Sequence, residues 1–139
     1  MIIQVVSTFL AVISVSIIYG VRKKLLPFCG LVGAIGWSVY LVLENYTDHK
    51  VLRMFFAVLC VAFISHILAR IFKAPVTLFL ITGILPEVPG VGMYNIVYHV
   101  IIGDSDMVNF YFSETLQIAG VIALAIFIMD TIFRLFQKS

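Results

Sequence analysis

Apolar residues run along this chain in five blocks separated by short polar breaks, at approximately residues 2–19, 28–44, 51–69, 76–102 and 110–136. Blocks of that length with few charges predict membrane-spanning helices, because about 20 apolar residues cross a bilayer. The expected fold is all-α: a polytopic membrane helix bundle of about five transmembrane helices, forming a single transmembrane domain over residues 1–139. The N-terminal block has no basic run before it and no clear small-residue cleavage site, so it is read as a span rather than a cleavable signal.

The fourth block is the irregular one. Within it, Gly83-Ile84-Leu85-Pro86-Glu87-Val88-Pro89-Gly90-Val91-Gly92-Met93-Tyr94 holds two prolines, three glycines and an acid. Proline lacks the N–H that a helix uses, so this span is expected to be broken at Pro86–Gly90. A break in an apolar setting must line protein or a wet cavity rather than lipid. The block reads either as one broken span or as a re-entrant hairpin. Charge favours the broken span. Arg22, Lys23 and Lys24 follow block one; Arg70 and Lys73 follow block three; Arg134 and Lys138 close block five. Asp104 and Asp106 follow block four with no base beside them. Alternate connections are therefore basic, which predicts five spans with the N-terminus outside and the C-terminus cytoplasmic.

Composition agrees: 63% of the 139 residues are hydrophobic and only 12% charged. A soluble domain of average composition has about 25% charge. The net charge of +2 is small and sits at block ends, which argues against nucleic-acid binding. His49, His66 and His99 are too dispersed for a metal set, and no nucleophile–base pair is visible, so neither a metal, a cofactor nor an enzyme activity is expected. Cys29 and Cys60 both fall in apolar blocks and read as small buried hydrophobes.

Helical periodicity then sorts the polar residues. In block two, Gly30, Gly33, Trp37, Tyr40 and Glu44 share one narrow face, either a close helix seam ending in aromatic residues or the lining of a pathway. In block four, Tyr94, Asn95, Tyr98 and His99 form a stripe expected to face the bundle interior or water. His66 and Arg70 share a face of block three. Asp130 and Arg134 are spaced for an i,i+4 ion pair, and the four together are a candidate charge network. Asn109 or Ser113 is the expected cap of block five.

The break supplies the candidate chemistry. Glu87 is expected near the midplane, where an ionised carboxylate is costly without a partner. Exchange of its proton as access alternates would couple transport to protons; a cap on the following half-helix, or a pairing with a partner subunit, is the structural alternative. The half-helix beginning near Val91 would offer free N–H groups to an anionic substrate, and the one ending at Leu85 free carbonyls to a cation.

The run Gly83-x-x-Pro86-x-x-Pro89-Gly90-x-x-x-Tyr94 resembles the signature of the threonine/serine exporter family (ThrE-like), in particular its short C-terminal-half subunits. The glycine-rich opening Gly30-Leu31-Val32-Gly33-Ala34-Ile35-Gly36-Trp37, and Arg70 followed by Pro75, are similar to the same family. The resemblance covers nearly the whole chain, with Glu87 standing where an apolar residue is usual. It implies a half-transporter: a cell (inner or plasma) membrane subunit of a split secondary exporter for threonine, serine or small organic acids such as dicarboxylates. It further implies proton coupling and a larger multi-span partner subunit of the same family. Pro86, Glu87, Pro89, Gly90, Tyr94, Asn95 and Tyr98 are the first candidates for the substrate pathway; Trp37, Tyr40 and Glu44 are the second. A non-transporting membrane scaffold or assembly subunit, and a homo-oligomeric channel, are the alternative readings.

Overall fold

A computed structural model describes residues 2–138 of the chain, and the side chains of residues 2–136. The described residues form six α-helices: α1 (Ile2–Ile18), α2 (Leu26–Leu43), α3 (Lys50–Phe72), α4 (Val76–Gly83), α5 (Gly90–Ile102) and α6 (Ser105–Lys138). A single 3-10 turn, Leu85–Glu87, lies between α4 and α5. The fold is all-α, as the hydrophobic blocks predict. Three helices (α2, α3 and α6) are each long and apolar enough to cross a membrane, and the bent pair of α4 and α5 makes a fourth candidate span. At 17 residues, α1 lies at the short end of the range for spanning helices.

Small residues set how closely the helices approach, which matters because lipid offers no hydrophobic drive for helices to associate. The antiparallel pair of α1 and α2 closes over Gly33, where a Cβ would come within 2.6 Å of Val12 Cγ2. Val12, Leu25, Cys29, Ala69 and Phe79 form one buried cluster where α1 to α4 meet. Met54 and Val58 of α3 pack against Ile118, Ile122 and Ala125 of α6 in a second.

That second interface decides the path of the broken span. Lys50 Nζ, at the start of α3, pairs with Glu114 of α6 at 3.1 Å. At the other end of α3, Arg70 Nη2 donates to the Phe133 carbonyl of α6 at 3.4 Å. The two helices therefore run parallel along the whole of α3. A hairpin returning to its own side would have made them antiparallel. The bend between α4 and α5 is 48°, so the chain is deflected but carries on across. Its two halves are one broken span.

The start of the last helix differs most from the sequence reading. α6 starts at Ser105, not near Phe110. Its cap is Asp104, whose Oδ1 accepts the Met107 N–H at 3.2 Å, rather than Asn109 or Ser113. Aspartate followed by polar residues begins the helix one and a half turns before the apolar run. The helix thus extends past the start of α3, and α5 folds back against this extension. Gly103, at φ 80°, makes the tight turn between them, a left-handed conformation that suits a residue without a Cβ.

Candidate functional site

The break is built by its neighbours as much as by its prolines. α4 ends at Gly83, which is buried; a Cβ there would meet Val32 Cγ1 at 2.5 Å. The turn that follows holds itself together locally. Glu87 N–H donates to the Ile84 carbonyl at 2.9 Å, and Val88 N–H to the Leu85 carbonyl at 3.3 Å. The Ile84 and Leu85 carbonyls thus accept hydrogen bonds within the turn. Pro89 caps α5 through its backbone carbonyl, which accepts the Met93 N–H at 3.1 Å. No side chain caps α5, so Glu87 does not play the capping role that was its structural alternative.

Glu87 instead points into the bundle and is 0% exposed. Neither carboxylate oxygen has a hydrogen-bond partner, and the ion pairs found among the described residues do not include it. Its place is made by Gly36 of α2: a Cβ there would stand 2.8 Å from Glu87 Oε1 and would also collide with Val61 of α3. Gly36 and Val61 both lie at mid-length of their helices. The carboxyl group therefore sits halfway along the bundle formed by α2 and α3. Burying an ionised group without a partner costs several kcal/mol, on the order of the penalty for one desolvated ion.

On another side of the break lies an open groove of about 500 Å3. Leu85 and Pro86 form one wall, Trp37 a second, and Gln4, Ser7 and Thr8 of α1 a third. Trp37 Nε1 donates to Gln4 Oε1 at 3.2 Å. Of the candidates read from the sequence, Trp37 and Pro86 meet here, and Glu87 adjoins them from within the bundle. Gln4, Ser7, Thr8 and Gly36 belong to the same site, and none of them is among the pathway residues expected from the sequence. A polar, small-residue stripe on the first block was the available signal for α1.

The remaining candidates lie elsewhere. Tyr40 stacks on Trp37 at 5.0 Å but also lies beneath the Arg53 guanidinium, toward the start of α3. Glu44 is exposed at the end of α2, about 12 Å further along the axis than Gly36. Gly90 is exposed, with open space where a Cβ would stand. The stripe on α5 turns away from the chain's interior: Tyr94 is 67% and Tyr98 47% exposed, and Asn95 is half-buried. No residue of α5 is buried, because α5 packs on α6 and on no other helix. His99 stacks on Tyr111 of α6 at 5.2 Å.

The four residues of the candidate charge network meet around Phe133. His66 stacks flat on its ring at 4.5 Å, Arg70 lies over the ring at 4.9 Å, and Asp130 pairs with Arg134 at 3.0 Å. The expected i,i+4 ion pair is present. At the opposite end, Lys50 and Glu114 close a polar cleft lined by His49, Asn109, Ser113 and Gln117. Those residues are far apart in sequence and gave no local motif. Among the described residues, no group of histidine, cysteine and acidic side chains could hold a metal ion.

A multi-pass helical bundle, with a span broken at mid-depth around a buried acid and a groove beside the break, defines a membrane protein of transporter type. Comparison with protein families gives the particular kind: the family model described as Threonine/Serine exporter, ThrE, matches residues 4–132, and the chain belongs to that family. No curated protein and no solved structure matches the chain.

Proposed function

We propose that this chain is one membrane subunit of a split, proton-coupled secondary exporter for threonine, serine or small organic acids. It works with a larger multi-span subunit of the same family. The observation that carries the reading is Glu87: a carboxyl buried at mid-depth, unpaired, beside a helix break, in a family of exporters. A purely structural side chain at that position would be apolar, since the carboxyl satisfies no partner in the fold. Glu87 carries the proton. The groove along Pro86, Trp37 and the polar face of α1 forms one wall of the substrate path. The stripe of Tyr94, Asn95 and Tyr98, left uncovered by this chain, is the surface on which the larger subunit supplies the rest. The basic end of the bundle faces the cytoplasm and the end bearing Asp104 and Asp106 faces outward, as the positive-inside rule asks.

The test is export by the co-expressed pair of subunits under an imposed pH gradient, with wild type and Glu87→Gln compared. Gradient-driven efflux is expected to fall at least about tenfold, in the range typical for loss of a proton-transfer group. Exchange of labelled for unlabelled substrate without a gradient is expected to survive. Gradient-driven efflux at the wild-type rate in Glu87→Gln would refute the coupling role.

A further inference from the structure

At the basic end of the bundle, where α1 hands over to α2 and α3 to α4, a cavity of about 310 Å3 lies between the two connecting loops. Arg22 and Lys24 line it from the first loop and Lys73 from the second, and no acid is among its lining residues. The acid at this end, Asp130, is on α6 and already paired with Arg134. Two helices begin at the cavity, α2 at Leu26 and α4 at Val76, and neither has a side-chain cap. Pro27 has no N–H, and the Phe28, Cys29 and Leu78 N–H groups already donate to the Leu25 and Pro75 carbonyls, so what these helix starts add to the three cations is their positive dipole ends.

Lys73 has a backbone conformation that sharpens the point. It caps α3 in the left-handed region at φ 53°, the single non-glycine residue with positive φ among those described. The Ala74 N–H donates to the Ala69 carbonyl at 3.0 Å, the pattern of a helix end that ordinarily uses glycine. A lysine in that position lines the cavity at some expense in backbone strain.

A second cavity, of about 400 Å3, continues from the first. The two share Gly20, Val21, Pro75 and Leu78. From there the second runs along α4, beside the loop of Tyr19, Gly20 and Val21, past Ile81 to Thr82, next to the buried Gly83. A cationic cup joined to a groove that runs toward the bilayer centre matches the outline of a phospholipid. We propose that Arg22, Lys24 and Lys73 bind the phosphate headgroup of an anionic phospholipid, with an acyl chain lying in the groove along α4 beside Tyr19. A free phosphate ion would use the cup and leave the groove unused. The site is independent of the export reading, since none of its residues belongs to the proposed pathway.

The test uses the full chain in neutral detergent, with lipid binding read by native mass spectrometry and by thermal shift. The probes are phosphatidylglycerol, phosphatidylcholine and inorganic phosphate. Wild type is expected to bind phosphatidylglycerol selectively and to be stabilised by it. Replacing Arg22, Lys24 and Lys73 together by Gln is expected to weaken that binding on the order of a hundredfold, from the usual contribution of each basic residue near an anionic headgroup. Ile81→Trp, which fills the groove and keeps the cations, is expected to weaken phosphatidylglycerol binding while leaving any effect of inorganic phosphate unchanged. Lys73→Gly separates the site from general stability: the lipid-free protein should melt higher and the lipid-induced shift should shrink. Equal binding of phosphatidylcholine, or unchanged phosphatidylglycerol affinity in the triple variant, overturns the site. Inorganic phosphate acting like the lipid, with Ile81→Trp silent on both, overturns the lipid assignment in favour of a free-anion site.

Discussion

Glu87 and Gly36 are best understood as one unit. The glycine leaves the space that the carboxyl oxygen occupies, and Val61 closes the far side. Gly36→Val is therefore expected to lower stability by about 1–3 kcal/mol, the usual effect of overfilling a packed interior. Reversible unfolding in detergent micelles would show it. Glu87→Leu is expected to do the opposite. An unsatisfied buried polar group costs about 1–3 kcal/mol, and an apolar side chain of similar size removes that penalty. The same substitution should abolish gradient-driven export. A gain in stability with a loss of transport is the signature of a residue kept for function; a loss of both would mark Glu87 as structural. Gly90, by contrast, has empty space around it, so Gly90→Ala should leave the unfolding midpoint within about 0.5 kcal/mol of wild type, as for ordinary surface changes.

At the scale of elements, the parallel run of α3 and α6 has the most direct consequence. The contacts from Lys50 with Glu114 to Arg70 with Phe133 place corresponding ends together. Lys50→Cys with Glu114→Cys should cross-link readily with a short bifunctional thiol reagent, whereas Lys50→Cys with Arg134→Cys should not. Cross-linking of the second pair in preference to the first would restore the hairpin. The α5–α6 pair is the other element-level feature. Gly92 lies so close to Thr115 that a side chain there would have to displace the threonine. Gly92→Leu is expected to pry α5 away from α6 and change the surface carrying Tyr94 and Tyr98. Co-purification with the proposed larger subunit would report it as reduced yield of the complex, with the isolated chain still folded through α1 to α4.

For the whole molecule, the arrangement is a compact set of α1 to α4 with α6 along one side and α5 attached through α6 alone. Cations gather at one end, from Arg22 through Lys73 to Arg134, and Asp104 and Asp106 belong to the other. Accessibility labelling of single cysteines near Arg22 and near Asp106 in intact cells should give opposite sidedness, with the Arg22 end protected from outside. Labelling of both from the same side would contradict the five-span path.

Much of this was legible along the chain, for identifiable reasons. The all-helical bundle and the break in the fourth block depend on local chemistry: apolar length and two prolines three apart. The ion pair of Asp130 and Arg134 is a matter of helical spacing alone. The family was legible too, because its double-proline run and glycine-rich helix are contiguous motifs. What could not be read depends on which helix lies beside which. Tyr94, Asn95 and Tyr98 form a clear stripe, but periodicity cannot say whether a stripe meets its own bundle, and α5 is held away from it. Gly36 is one glycine among several until α3 and the break are packed against it. The cup of Arg22, Lys24 and Lys73 joins loops some fifty residues apart. Local sequence determined what each segment is, because that follows from backbone chemistry and solvent. The choice of neighbours, and with it the surroundings of the acid, the groove and the cationic cup, came only from tertiary packing, because close approach between helices is a property of two surfaces at once.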